Sequence, residues 1–298
     1  MPNNKSIHLL GYASGLAGAT PGSAEGPRTI KNSSYLSILT DHGLILKWEN
    51  LIQSKRQNES VLSQVIQLCS ELAESSAKLS EDKKPFVVLG GDHTSAIGTW
   101  SGVVHAKRKE GPVGLIWIDA HMDSHTPKTS LTGNLHGMPL ASLLGQGEKS
   151  LTQLCDDLPK FLPENICLIG IRSYEEGEAC LLKDLNVKIF YMDEVKQRGM
   201  KAVLADAIKI VTRNTIGYGL SVDIDSMDPH DAPGTGVPEP NGISANDLCD
   251  ALKGLAADSR LIGAEIVEFD PTRDFEHKTE KLVMKLISTI YYASTPPR

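Results

Sequence analysis

Apolar residues in this chain fall into two kinds of run. Short, continuous, β-rich stretches recur at residues 7–10, 86–89, 113–118, 166–169, 187–191, 219–222 and 261–267. Between them apolar positions repeat with helical spacing. Over 61–79, Leu62, Val65, Ile66, Cys69 and Leu72 share one face, and similar patterns cover 195–211, 244–257 and 275–291. Strands apolar on both faces, alternating with helices, predict an α/β architecture: a mainly parallel sheet covered by helices on both sides. No linker or 20–50-residue repeat divides the chain, so residues 1–298 are expected to form one domain. The segment richest in turn residues, 228–242, carries Pro229, Pro233, Pro238 and Pro240 with Gly234, Gly236 and Gly242. A loop of that length in a compact domain usually serves a site.

Composition narrows the class. The 298 residues are 40% hydrophobic and 22% charged, which excludes collagen, coiled coil and wholesale disorder. A domain of this size hides roughly three quarters of its unfolded surface, so neither disulfides nor a structural zinc are needed. Lys plus Arg number 30 against 37 Asp plus Glu, a net charge of -7, which argues against nucleic acid as a partner. The run Lys107, Arg108, Lys109 is expected to be a solvated helix end. Five cysteines, at 69, 155, 167, 180 and 249, contain no C-x-x-C pair and are expected to be reduced, buried thiols in a cytoplasmic protein. Residues 7–19, after Lys5, superficially resemble a signal peptide, but His8, Tyr12, Ser14 and three glycines make them too polar. No apolar run approaches the roughly 20 residues of a membrane span.

The chemistry gathers where strand-like runs end, the place where open parallel sheets bind ligands. The run 86–89 leads into Gly90-Gly91-Asp92-His93, where two glycines allow a tight turn before His93. The run ending at Ile118 leads into Asp119, His121 and Asp123, which in extended backbone would point to one face. Two carboxylates buried side by side without a cation are very costly, so this cluster points to a metal. A third end supplies Asp223 and Asp225. Together these give His93, Asp119, His121, Asp123, Asp223 and Asp225: two imidazoles and four carboxylates, a set suited to two divalent ions such as Mn²⁺. A fourth end supplies Glu268, before Pro271, a carboxylate at the same rim that could accept a cationic substrate.

These segments resemble the signature set of the arginase (ureohydrolase) family: Gly90-Gly91-Asp92-His93, Asp119-Ala120-His121-Met122-Asp123, Gly133-Asn134-Leu135-His136-Gly137, Ser221-Val222-Asp223-Ile224-Asp225 and Glu265-Ile266-Val267-Glu268. Order and spacing match over nearly the whole chain. The resemblance implies a three-layer α/β/α fold with a mostly parallel eight-stranded sheet, two Mn²⁺ per subunit and a homo-oligomer, trimeric or hexameric. It also implies hydrolysis of L-arginine to L-ornithine and urea by a hydroxide held between the metals. On the matching positions, Asp123 would pass a proton to the leaving amine, His136 would shuttle protons to bulk water, and Glu268 would grip the guanidinium.

Substrate contacts implied by the same resemblance are His125, Thr132, Asn134 and Glu175, with Glu268. Departures from the arginase pattern lie among them. His125 stands where arginases carry an Asn that meets the substrate α-carboxylate, and Thr132 replaces a Ser while keeping the hydroxyl. Glu175 replaces an Asp that reads the α-amino group, and Val237 replaces a Thr. Agmatine, 4-guanidinobutyrate, guanidine and formimidoglutamate are the competing substrates. A dimetal phosphohydrolase fits less well, because Lys128 and Arg172 are the loops' lone cations and Glu268 would repel an anion. A non-catalytic metal-binding scaffold has no support, since every ligand position is filled.

Overall fold

The structure, a computed structural model, describes residues 5–41, 43–55 and 58–292. Eight strands form its centre: β1 (Lys5–Ala13), β2 (Leu44–Gln53), β3 (Phe86–Gly90), β4 (Gly114–Ile118), β5 (Ile166–Ile171), β6 (Lys188–Tyr191), β7 (Tyr218–Asp223) and β8 (Leu261–Val267). They make one sheet in the order β2-β1-β3-β8-β7-β4-β5-β6, with every pairing parallel.

Side-chain alternation along the central strands splits them between two cores. Val87, Leu89, Ile116, Ile118, Cys167 and Ile169 pack under helices Met200–Val211, Ala245–Leu252 and Lys278–Tyr291. Phe86, Val88, Leu115, Trp117, Ile166 and Leu168 pack under helices Val61–Glu81, Ser95–Lys107 and Pro139–Leu143. Strands apolar on both faces therefore yield the expected three layers. The close approach of helix Ser95–Lys107 depends on Gly219 in β7, where an added Cβ would overlap the Trp100 ring.

Several sequence expectations need correction. β2 was not among the expected runs: Lys47, Glu49 and Asn50 interrupt its apolar pattern, which an edge strand with one neighbour tolerates. A bulge beside it lets Leu9 pair with Trp48 and Leu10 with Asn50. The helix expected over 195–211 is two, Met192–Arg198 and Met200–Val211, divided at Gly199, whose φ of 80° no helix accommodates. Helix Ala245–Leu252 ends before the expected 257, and the last helix begins at Lys278 after left-handed His277, three residues beyond the expected 275. The basic run is a helix end solvated only in part: Lys109 is exposed, but Lys107 is buried and bonds Glu110, and Arg108 grips Asp156 through two nitrogens. Cys69, Cys167 and Cys249 are buried, whereas Cys155 and Cys180 are exposed; all five are free. Residues 7–13 lie within β1, and among the described residues no helix is long and apolar enough to cross a membrane.

Candidate metal centre and active site

The strand order makes β3, β8, β7 and β4 consecutive neighbours, so their carboxyl ends bring together the four acidic segments that the sequence scatters over 176 residues, from His93 to Glu268. Two ligand groups result, His93 with Asp119 and Asp223, and His121 with Asp119 and Asp225, sharing Asp119. His93 Nδ1 lies 3.3 Å from Asp119 Oδ2, 3.0 Å from Asp123 Oδ2 and 3.0 Å from Asp223 Oδ2. His121 Nδ1 lies 3.1 Å from Asp225 Oδ2 and 3.6 Å from Asp119 Oδ1. Asp119 thus offers one oxygen to each group. The structure brings all six candidate ligands together, although by a different route from the extended segment expected: β4 stops at Ile118, and Asp123 turns back with φ of 47°.

This set fits a pair of cations. His93 Nδ1 is buried among three carboxylate oxygens yet hydrogen-bonds none of them, an unpartnered polar atom that a metal would satisfy. Burial pushes Asp223 well above the usual carboxylate range, and the neighbouring Asp225 and Asp119 add to it. Asp225 is pushed up to about 6 by burial and by Asp119, with His121 opposing. Asp123 is raised by burial and by Asp119. Burial would raise Asp119 too, but the neighbouring imidazoles of His121 and His93 hold it below the ordinary value. Burial works against the charged form of His121, and Asp225 and Asp119 overcome it, raising this imidazole far above its ordinary value. Metal-free, the cluster therefore holds protons where cations would sit.

Above the cluster lies a cavity of about 280 Å³, lined by His121, Asp123, His136, Asp223, Asp225 and Glu268 on its metal side. Glu268 follows β8 with φ of 62°, a strained conformation for a non-glycine residue. Its Oε1 accepts from the His93 backbone N–H (2.9 Å) and meets His136 Nδ1 at 3.1 Å. Burial lowers His136, but the Glu268 carboxylate outweighs it and moves the imidazole up to about 9. The two residues expected to shuttle protons and to hold a guanidinium are thus bonded to each other.

The rest of the cavity wall carries His125, Thr132, Asn134, Glu175 and Val237. His125 Nε2 is 2.9 Å from Glu175 Oε2 and 3.4 Å from Glu178 Oε2, while its Nδ1 meets Thr129 Oγ1 at 3.1 Å. Thr132 Oγ1 accepts from Asn134 N at 3.2 Å, folding that loop on itself. Glu175 caps helix Glu176–Asp184 in a capping box with Glu178.

Sequence reasoning missed several residues here. Glu178 is buried, accepts from Ser124 N and is pushed up to about 8 by burial. Its signal was the Glu-x-x-Glu spacing that opens the helix. Trp117 stacks on His93 (ring centroids 4.1 Å, 10° between planes) and donates to Asp119 Oδ2 at 2.8 Å. It stands two positions before Asp119, on the same face. Glu239, in the Pro/Gly-rich loop, lies 3.7 Å from His121 Nε2. Arg172, a candidate for anion binding, is already used: its guanidinium donates to the carbonyls of Gly170, Asp225, Ser226, Glu239 and Pro240 at 2.7–3.2 Å, fastening that loop to β5 and β7. It has little left for a phosphate.

Residues 5–292 match the model of the arginase family. The chain is 36% identical over 296 residues to an arginase of Brevibacillus brevis, covering 97% of this chain and 98% of that one. It superposes on the crystal structure of an arginase from Bacillus subtilis with a TM-score of 0.88 at 36% identity, covering 96% and 98% of the two chains. An arginase of Entamoeba histolytica in complex with L-ornithine gives 0.87 at 31% identity, covering 98% and 99%.

Proposed function

Because this chain belongs to the arginase family, we propose that it hydrolyses L-arginine to L-ornithine and urea with two Mn²⁺ held by His93, Asp119, His121, Asp123, Asp223 and Asp225. The observation that carries this reading is the pair of His/Asp groups sharing Asp119 beneath a cavity walled by acids. The carboxylate and imidazole donors suit Mn²⁺, and no cysteine lies among them. When bound, two such ions supply Lewis acidity that brings water toward hydroxide near neutral pH.

The chain's own residues do the rest. Glu268, with Oε1 engaged by His93 N and His136, presents Oε2 to the planar guanidinium, for which a carboxylate is the geometric complement. Asp123, 3.0 Å from His93 and lining the cavity, takes the proton of the attacking water and delivers it to the leaving amine. His136, one nitrogen on Glu268 and the ring partly exposed, passes the water's other proton to solvent. Glu175 and Glu178 give the cavity mouth a negative side for the α-ammonium group; Thr132 and Asn134 offer a hydroxyl and an amide to the α-carboxylate, and His125 sits between.

Five free cysteines support a reducing, cytoplasmic setting, and the resemblance supports a trimer or hexamer. The test of substrate is urea release by Mn²⁺-loaded protein from L-arginine, agmatine, 4-guanidinobutyrate and guanidine at equal concentration. A preference for agmatine, which lacks the carboxylate, would refute the assignment of L-arginine.

A further inference from the structure

One buried acid takes no part in the chemistry above. Glu265 lies within β8, fully buried beside β7, and is not among the residues that line the cavity. Its Oε1 accepts from Trp100 Nε1 at 2.6 Å and from Ser221 Oγ at 2.8 Å. Ser221 Oγ in turn lies 2.9 Å from His93 Nε2. Ser221, His93, Trp100 and Trp117 are all at most 1% exposed.

The proton directions in this chain follow from chemistry. An indole N–H only donates and a carboxylate only accepts, so the single Ser221 hydrogen goes to Glu265. The Ser221 oxygen then has lone pairs alone to offer His93, and Nε2 must carry a hydrogen. Nδ1, aimed among Asp119, Asp123 and Asp223, is then the nitrogen left to meet a cation. Trp117, stacked on the ring, fixes its plane.

We infer that Glu265 is a positioning residue: acting through Ser221, it fixes the tautomer and orientation in which His93 presents Nδ1, and so governs one of the two cation sites and not the other. His93 belongs to one ligand group and His121, which among the described residues bonds neither Ser221 nor Glu265, to the other. The inference rests on the two-cation reading of the site. Metal ligands of histidine type depend on such partners, whose loss typically lowers affinity about 10–100-fold.

The test is stepwise Mn²⁺ binding by chelator competition on the full chain, for wild type, Ser221→Ala, Glu265→Gln and the double variant, with metal-free melting curves to establish folding. Ser221→Ala should weaken one binding step about 10–100-fold and leave the other within about twofold. Glu265→Gln keeps an acceptor oxygen but not the charge, and should weaken the same step by about 3–10-fold, since charge-assisted hydrogen bonds are roughly twice as strong as neutral ones. Residues acting in series do not add, so the double variant should match Ser221→Ala. Unchanged steps in folded variants, equal loss at both steps, or additive losses in the double variant would overturn the inference. Failure of wild type to bind two ions would instead overturn the proposed function.

Discussion

Metal loading should stabilise this protein, and the gain should grow as pH rises. Metal-free, the native cluster holds protons that the unfolded chain would not: Asp225 is raised to about 6 and Asp223 further, and His121 is raised above its ordinary 6.5. The unfolded chain binds fewer protons wherever these shifts act, so native stability falls with rising pH. For the acids the loss begins near the unfolded value of about 4 and continues through about 6; for the imidazole it begins near 6.5 and continues upward. Asp119, lowered, runs the other way, but its window lies below about pH 4. Between pH 5.5 and 7.5 the remaining shifts act together, and a cation that displaces the protons removes the loss. At a concentration 100 times Kd each ion contributes about 2.7 kcal/mol, and two contribute about 5.4 kcal/mol. With 298 residues at roughly 2.1 cal/mol/K each, the unfolding entropy is about 0.63 kcal/mol/K, so Tm should rise by about 9 °C. Each proton displaced on binding makes that rise about 2 °C smaller per pH unit on acidification, because one pH unit per proton is about 1.4 kcal/mol. The assay is scanning calorimetry with chelator or with fixed Mn²⁺ at pH 5.5, 6.5 and 7.5. A Tm difference that narrows with rising pH, or stays under about 2 °C at saturation, would refute the account.

Three substitutions test the division of labour. Asp123→Asn should cut kcat for urea release by about 10²–10⁴-fold, the usual contribution of a proton-transfer group, while melting stays near wild type because Asn tolerates a φ of 47°; a rate within threefold or so of wild type would remove Asp123 from proton transfer. His125→Asn breaks the 2.9 Å tie to Glu175 and should change the ratio of kcat/KM for arginine over agmatine by about tenfold, the worth of one hydrogen bond near 1.4 kcal/mol, with kcat less affected; an unmoved ratio means this residue does not read the substrate's α-carbon. Arg172→Lys cannot reach five carbonyls with one ammonium, so the loop 228–242 should become protease-sensitive and Tm should fall by the equivalent of about 2–3 kcal/mol, checked by limited proteolysis and melting.

The fold and the gathering of acids and imidazoles beyond its central strands were legible because both follow from local chemistry. Runs such as 86–89 and 166–169 are apolar on both faces, and only a sheet covered on two sides accepts that. Acids at i and i+2 beyond an apolar strand have no economical reading without a cation. What escaped was set by neighbours distant in sequence. β2 carries Lys47, Glu49 and Asn50 because it lies at the sheet edge, and a pattern cannot reveal which strand is outermost. Arg172 looked like a free cation until the loop carbonyls closed around it. Ser221 and Glu265 were quoted only as motif positions, although a lone polar residue inside a buried strand is itself a signal that something across the sheet must satisfy it.

The departures from the arginase pattern have a common location, which bears on why they are tolerated. His125, Thr132, Glu175 and Val237 all lie in connecting segments, as do His93, Asp119, His121, Asp123 and Asp225; what sets the second group apart is that its side chains converge with Asp223 beyond the carboxyl ends of β3, β4 and β7. Ring stacking such as Trp117 on His93 holds that group in place. Loops answer to fewer constraints. His125 and Glu175 are tied to each other by a 2.9 Å bond, so each sets the position of the other at the cavity wall. A single reversion at either position should therefore cost more selectivity than the double reversion His125→Asn with Glu175→Asp. Steady-state kinetics on arginine and agmatine for the two single variants and the double measure that coupling, and additive effects would refute it.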